Sequence, residues 1–121
     1  PIIEAPHLLY RQGYFYLFMS FNHCCRGADT QYQVRVGRSR DIAGPYLDAN
    51  GWPLYLGGGT PLIARDGNYM GTGHSDLFSE NGQDWLVHHA KRADEDYRAY
   101  LHIRKLRWLT TGWPSLCAEP A

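Results

Sequence analysis

The stretch Gly13-Tyr14-Phe15-Tyr16-Leu17-Phe18-Met19 decides the fold, because a glycine turn directly precedes a run of aromatic and apolar residues with high β propensity. Sixty-nine positions further on, Gly82 and Leu86 occupy the places of Gly13 and Leu17. Further pairs at this or nearly this offset are Val34 with Ile103, Arg35 with Arg104, and Gly44-Pro45 with Gly112-Trp113-Pro114. The chain therefore contains an internal repeat of two β units.

Each repeat unit combines short strands with Gly and Pro turns and lacks a long stretch of helical apolar period. Three or four antiparallel strands repeated radially form the blades of a β-propeller, so we expect an all-β partial propeller. Unit one covers about residues 1–69 and unit two about residues 70–121 of a single domain. Two unrelated meanders with chance matches are the alternative interpretation.

Two blades do not close a ring, because each presents apolar faces and strand edges to its neighbours. We therefore expect the chain to require further N-terminal blades, a second copy of itself or another partner. The formal net charge is zero, which gives no electrostatic reason to expect nucleic acid or an anionic membrane as a partner. No apolar run approaches the roughly 20 residues of a membrane helix. Of the three cysteines, Cys24 and Cys25 are adjacent and could form only a strained ring disulfide, so we expect two reduced thiols in a loop.

The predicted strand order brings one acidic residue to the mouth of the propeller channel. A first strand from Glu4 to Tyr10 pairs antiparallel with Tyr14 to Ser20, so Glu4 lies beside the loop from Phe21 to Gln31. The same reasoning in unit two places His74 beside the loop that follows its second strand. Since the first strand of each blade lines the channel, Glu4 and His74 are expected at equivalent positions of adjacent blades.

Both residues have sequence surroundings that suit a role in chemistry. Glu4 follows apolar Ile2 and Ile3 and precedes Ala5-Pro6, so we expect a buried strand start where burial favours the protonated carboxyl of a general acid. An ordinary exposed glutamate is the alternative. His74 lies between Gly73 and Ser75, where glycine permits unusual backbone dihedrals. A histidine with a purely structural role is the alternative there.

Four further candidates suit contact with a sugar. The loop that contains Phe21, Cys24 and Arg26 combines a ring that can stack on a sugar with a guanidinium that can bind hydroxyls or a carboxylate. Arg38 is a second candidate guanidinium and is expected to reach inward from the third strand. The alternative for both arginines is a surface ion pair.

An ordered set of motifs resembles one known enzyme family. The motifs are Ile3-Glu4-Ala5-Pro6, Tyr14-Phe15-Tyr16-Leu17-Phe18, Cys24-Cys25-Arg26-Gly27, Val36-Gly37-Arg38-Ser39, Gly57-Gly58-Gly59-Thr60, Gly73-His74-Ser75, Leu101-His102-Ile103-Arg104 and Gly112-Trp113-Pro114. Over nearly the whole chain they resemble the C-terminal part of family 43 glycoside hydrolases of the arabinanase type, which cut α-1,5-linked L-arabinan. The short Glu-Ala-Pro piece is common, whereas the ordered set with Cys-Cys-Arg-Gly inside it is specific.

The resemblance implies a five-bladed propeller, hydrolysis with inversion, and Glu4 as the general acid. It also implies two Asp residues in earlier blades, one as the base and one that tunes the pKa of the acid and orients it. No motif in this sequence matches either of them. His74 matches the channel histidine that helps to hold a metal ion in these enzymes, usually calcium. Two departures are Asp76 after Ser75, where the family often has Gly-His-Asn, and the charged run at residues 91–96.

The expected function is that of a glycosidase acting on arabinan or arabino-oligosaccharide. A non-catalytic carbohydrate-binding propeller fragment is one alternative, since the expected base is absent from the chain. A related β-xylosidase or α-L-arabinofuranosidase is the other, and Glu4 would keep its role there. Cleavage of a polysaccharide favours an extracellular location, whereas trimming of oligosaccharides is compatible with the cytoplasm.

Overall fold

The structure, a computed structural model, describes residues 2–22, 31–63 and 68–116. Within these ranges the chain is built from strands and two single 3-10 turns, Leu54–Leu56 and Ala93–Glu95. The strands are β1 (Ile3–Arg11), β2 (Tyr14–Phe21), β3 (Gln33–Ser39), β4 (Thr60–Ile63), β5 (Tyr69–Glu80), β6 (Gln83–Arg92), β7 (Arg98–Trp108) and β8 (Pro114–Leu116). No helix in the described part of the chain has the length and apolarity needed to cross a membrane.

The strands form two separate four-stranded sheets, with the orders β1-β2-β3-β4 and β5-β6-β7-β8. Every neighbouring pair is antiparallel. Strand β2 alternates as a half-buried strand should, with Tyr16, Phe18 and Ser20 buried and the residues between them partly exposed. The prediction of an all-β chain with two blade-like units is confirmed.

The predicted alignment of the two repeat units matches the strand pairing in the first two strands of each sheet but not in the third. Leu17 pairs with Gly37 in the first sheet, whereas Leu86 pairs with Arg104 in the second. Arg104 is therefore the structural equivalent of Gly37, and the predicted alignment of Arg35 with Arg104 is wrong by two residues. The connection between the second and third strands is shorter by this amount in the second sheet.

Side chains of both sheets interlock at the end remote from Glu4. The Tyr16 hydroxyl donates a hydrogen bond of 2.6 Å to the Gly112 carbonyl oxygen. The Arg38 guanidinium lies over the rings of Tyr14 and Trp113, at 4.1 and 4.6 Å from their centroids. These contacts join the two sheets, and the buried aromatic rings around them belong to the common core.

Several large apolar side chains remain exposed on two of the strands. On β1 and β7 these are Leu8, Tyr10, Leu101 and Ile103, which are between about half and three-quarters exposed. Exposed apolar groups of this size on regular strands are typical of surfaces that another element covers. Their exposure agrees with the expectation that each unit presents apolar faces to a neighbour.

Candidate active site

The first strand of each sheet carries a β-bulge at the same register. In the first sheet Glu4 pairs with Ser20, and the register shifts between Glu4 and His7. In the second sheet Gly73 pairs with His89, and the register shifts before Asp76. Each bulge contains one non-glycine residue in the left-handed region, Ala5 at φ 52° and His74 at φ 50°. A bulge of this kind redirects the side chains around it.

Glu4 and His74 were predicted to occupy equivalent positions, but the strand register shows that they are offset by one residue. Glu4 is the register equivalent of Gly73, and His74 is the equivalent of Ala5. The prediction of a buried Glu4 was also wrong for this structure, because Glu4 is exposed at the start of β1. The reason is that no described residue covers this end of the strand, where the apolar Ile2 and Ile3 are exposed as well.

A direct hydrogen bond ties the two bulges together. The backbone N–H of His74 donates to Oγ of Ser20, at 2.8 Å. Ser20 is the buried partner of Glu4 across β1 and β2. The His74 imidazole is exposed, and its ring centroid lies 6.5 Å from that of His89. The structure thus brings Glu4 and His74 to the same end of adjacent sheets, as predicted.

Tyr32, which no sequence pattern marks as a site residue, lies between the two sheets at this end. Its side chain is only 2% exposed. Its ring stacks on His89, with centroids 5.6 Å apart and planes 5° apart. The ring also packs on the Gly73 backbone so closely that a Cβ at Gly73 would lie 2.2 Å from Cε2 of Tyr32. Glycine is thus required at position 73 by this contact.

The electrostatics place Glu4 near both Tyr32 and His89. Burial, above all, raises the pKa of Tyr32 to about 12; the Ser20 hydroxyl acts in the opposite direction, and Glu4 raises it further. Burial also lowers the pKa of His89, with His74 and Lys91 adding to the effect and Glu4 opposing it. At neutral pH the phenol of Tyr32 is therefore protonated, and the His89 ring is held towards its neutral form.

Two predicted sugar-binding residues lie elsewhere than expected. Phe21 is only 1% exposed, and the Arg35 guanidinium lies 4.7 Å from its ring centroid, so the ring has no free face for stacking on a sugar. Arg38 pairs with Tyr16 on β2, four residues along the strand from Ser20, which is roughly 13 Å. Because aromatic rings hold its guanidinium there, Arg38 joins the sheets and does not point towards Glu4. The other two, Cys24 and Arg26, lie outside the described residues.

The predicted metal site at His74 has few possible ligands among the described residues. In the ranges 2–22, 31–63 and 68–116, no three His, Cys, Asp or Glu side chains come close enough to hold an ion together. His74 offers one exposed imidazole, whereas calcium takes 6–8 oxygen ligands. The described residues do not fit a calcium ion by themselves.

Three residues of this site were missed in the sequence: Ser20, Tyr32 and His89. Ser20 and His89 could have been found, because the strand pairing places them directly opposite Glu4 and Gly73. Tyr32 precedes β3 by one residue and has no such signal, since its position follows from packing between the sheets.

Comparison with known proteins points to one enzyme family. Residues 1–114 match the family model of glycosyl hydrolases family 43. An extracellular exo-α-(1→5)-L-arabinofuranosidase of Cellvibrio japonicus is 42% identical over 94% of this chain and 33% of its own length. An extracellular endo-α-(1→5)-L-arabinanase of Bacillus subtilis is 42% identical over 93% of this chain and 34% of its own length.

Solved structures agree with these sequence matches. A Cellvibrio cellulosa α-L-arabinanase complexed with arabinohexaose superimposes with a TM-score of 0.90, at 42% identity over 95% of this chain and 36% of its own. An exo-1,5-α-L-arabinanase from a bovine ruminal metagenomic library gives 0.92, at 39% identity over 98% of this chain and 39% of its own. The chain spans about a third of the length of the curated relatives it matches.

Proposed function

Because the chain belongs to family 43 of the glycosyl hydrolases, we propose that it supplies the general acid, Glu4, to an enzyme that hydrolyses α-1,5-linked L-arabinan. The observation that carries the proposal is the position of Glu4. It precedes the bulge of β1, at the end of the sheets where His74 and the buried Tyr32 meet. A carboxyl group placed one residue before a redirected strand, at the open end of a blade, can reach a bound glycan.

The proposed reaction uses Glu4 as a proton donor. Its carboxyl group gives a proton to the glycosidic oxygen as the bond between that oxygen and the anomeric carbon breaks. A water molecule attacks the anomeric carbon from the opposite face and loses its proton to a base carboxylate. In inverting glycosidases the two carboxyl groups lie about 6.5–9.5 Å apart, which leaves room for that water. No residue of this chain is assigned as the base.

The substitution Glu4→Gln in the intact protein tests the assignment. The amide keeps the shape of the side chain but cannot donate the proton, so arabinan hydrolysis should fall by roughly 10²–10⁴-fold. Hydrolysis of 2,4-dinitrophenyl α-L-arabinofuranoside should fall far less, because that leaving group departs without protonation. Equal loss on both substrates, or near-normal turnover of arabinan, would refute the role of Glu4.

Glu80→Gln is the matched control for this experiment. Glu80 is an exposed glutamate at the C-terminal end of β5, next to the turn that leads to β6 and six residues beyond His74. The same chemical change there should leave both activities unchanged. Circular dichroism of the two variants then separates loss of the acid from loss of structure.

The base and the rest of the channel are proposed to come from further propeller blades. The exposed apolar side chains of β1 and β7, among them Leu8, Tyr10 and Leu101, are the surfaces that such blades would cover. The 121 residues expressed alone should therefore bind arabino-oligosaccharide at most. Arabinose release by this chain alone, with no increase on dimerisation, would contradict the proposal.

The choice of glycan can be tested with a panel of linear arabinan, branched arabinan and aryl glycosides. Relatives named as endo-arabinanase and as exo-arabinofuranosidase favour linear α-1,5-arabinan as the best substrate. Linear arabinan as the poorest substrate would support the α-L-arabinofuranosidase or β-xylosidase alternative. Both of these relatives are named extracellular, and we extend the proposal to an extracellular location, to be tested by immunodetection in culture supernatant against a cytoplasmic marker.

A further inference from the structure

Tyr32 is held in place by the backbone of Gly73 and the side chain of His89, both of the second sheet. Its ring fills the space above Gly73, where even a methyl group would collide with it. The His89 ring also contacts Tyr32 and is stacked nearly parallel to it. Two contacts from the second sheet therefore fix a residue of the first sheet.

The Tyr32 hydroxyl is buried and can donate a hydrogen bond. Within the described ranges it has no partner at normal hydrogen-bond geometry. Ser20 and Glu4 nevertheless lie close enough to act on its pKa, which stands at about 12. The group is thus a donor at every pH at which a glycosidase works. A buried donor without an acceptor lowers the stability of the folded state, so buried donors in proteins usually have an acceptor.

Glu4 is the acceptor that suits this donor. Ser20 Oγ already accepts the His74 N–H, whereas the exposed Glu4 side chain has rotational freedom at the start of β1. A general acid has one oxygen that carries the proton and one that can only accept. A hydrogen bond to the second oxygen fixes which way the proton points, and it strengthens when proton transfer leaves a carboxylate.

We propose that Tyr32 is a positioning residue for the acid: its hydroxyl donates to one carboxyl oxygen of Glu4 and turns the protonated oxygen towards the glycosidic bond. The inference rests on the proposed function of Glu4. It adds that the packing of Tyr32 on Gly73, across the boundary between two blades, is part of the catalytic apparatus. Tyr32 itself does not touch the reacting atoms.

The test is Tyr32→Phe in the intact protein, with kinetics on arabino-oligosaccharide and on 2,4-dinitrophenyl α-L-arabinofuranoside. Phenylalanine keeps the ring contacts with Gly73 and His89 and removes only the hydroxyl. The expected result is a kcat on arabino-oligosaccharide lower by about 10–100-fold, with KM changed less than about twofold, because a charge-assisted hydrogen bond that strengthens during proton transfer is lost. On the dinitrophenyl substrate kcat should change less than about threefold, since no proton is needed.

Tyr16→Phe is the matched control, because Tyr16 is equally buried and loses a hydrogen bond, to Gly112, at the opposite end of the sheets. It should leave both activities unchanged. Kinetics are measured at a temperature where circular dichroism shows both variants folded. Unchanged arabino-oligosaccharide kcat in Tyr32→Phe, or equal loss on both substrates, overturns the inference.

The Glu4→Gln variant keeps the two proposals separable. If Glu4→Gln shows the leaving-group selectivity and Tyr32→Phe does not, only the role of Tyr32 fails. If Glu4→Gln lacks the selectivity, the proposed function itself fails. In the Glu4→Gln background, Tyr32→Phe should cause no further loss on arabino-oligosaccharide, because the group that it positions can no longer donate a proton.

Discussion

The substitution Gly73→Ala perturbs the contact between the two sheets with a single methyl group. An ideal Cβ at this position would lie 2.2 Å from Cε2 and 2.4 Å from Cδ2 of Tyr32, and 3.1 Å from Oγ of Ser20. Gly73 is not in the left-handed region, so alanine meets no conformational penalty of its own. The effect of the substitution therefore comes from these contacts, above all from the collision with the Tyr32 ring.

The size of the effect follows from how far the ring must move. Restoring ordinary van der Waals contact requires Tyr32 to withdraw by at least about 1.2 Å, in a space that the His89 ring also bounds. Overpacking of this kind costs about 1–3 kcal/mol of the free energy of unfolding. A displacement of about 1 Å at a catalytic constellation can lower the rate roughly 100-fold. We therefore expect a moderate loss of stability with a large loss of kcat on arabino-oligosaccharide.

Gly37→Ala provides the control for overpacking. A Cβ at Gly37 would lie 2.8 Å from Cγ and 2.9 Å from Cδ1 of Leu54, whose side chain belongs to the 3-10 turn between β3 and β4. The collision is of the same kind but involves no residue of the candidate active site. Its cost in stability should be about 1–3 kcal/mol or less, since the end of a leucine side chain can yield. The kcat of Gly37→Ala should remain that of the unmodified protein.

The assay combines denaturant unfolding with kinetics on arabino-oligosaccharide in a double-mutant cycle. If Gly73 acts through the Tyr32 hydroxyl, Gly73→Ala should lower kcat far less in the Tyr32→Phe background than alone. The cost in stability should be the same in both backgrounds, because phenylalanine presents the same ring atoms. Additive losses of kcat, or an active Gly73→Ala with normal stability, would refute this reasoning.

Two further predictions concern pH and metal ions. His7 is stacked on Phe18, and burial lowers its pKa below 6.5 against the opposing effect of Asp76. As the pH falls from 6.5 through the folded-state pKa, the unfolded chain binds the proton first, so the free energy of unfolding decreases. His7→Phe should reduce this slope in denaturant titrations at a series of pH values, and an unchanged slope would contradict the assignment to His7. If a calcium ion binds near His74, as the family resemblance implies, dialysis against EDTA should lower the melting temperature and added calcium should restore it. The response should be lost in His74→Gln, and a melting temperature insensitive to EDTA would count against the ion.

The repeat of turns and strands was predictable because it depends on local signals. Gly13 and Gly82 mark turns at positive φ, and the aromatic run after Gly13 alternates as a half-buried strand. Antiparallel pairing from these turns then leads to the end of the strand at which Glu4 and His74 lie. The third strand was misaligned because its register depends on the length of a connecting loop, for which the sequence has no local signal.

The interior of the candidate site was not predictable for a different reason. Ala5 and His74 are in the left-handed conformation, which is uncommon for residues other than glycine. The sequence therefore did not indicate the bulges, nor that Glu4 is equivalent to Gly73 and not to His74. Arg38 reads as an inward-pointing polar residue, yet rings from both sheets hold it at the other end. Tyr32 acquires its place only when the sheets pack together. In each case contacts between the sheets determine the outcome.

At the paired bulges, the conformation of the backbone does not depend on which side chain occupies the position. Ala5 and His74 share one conformation and one register, although one side chain is a methyl group and the other an imidazole. After duplication of an ancestral blade, such a position can diverge by a single substitution without rebuilding the strand around it. One descendant here has a carboxylate just before the bulge, and the other has a histidine within it. For protein engineers, the same position in any further blade of this design is a place to install a new reactive group.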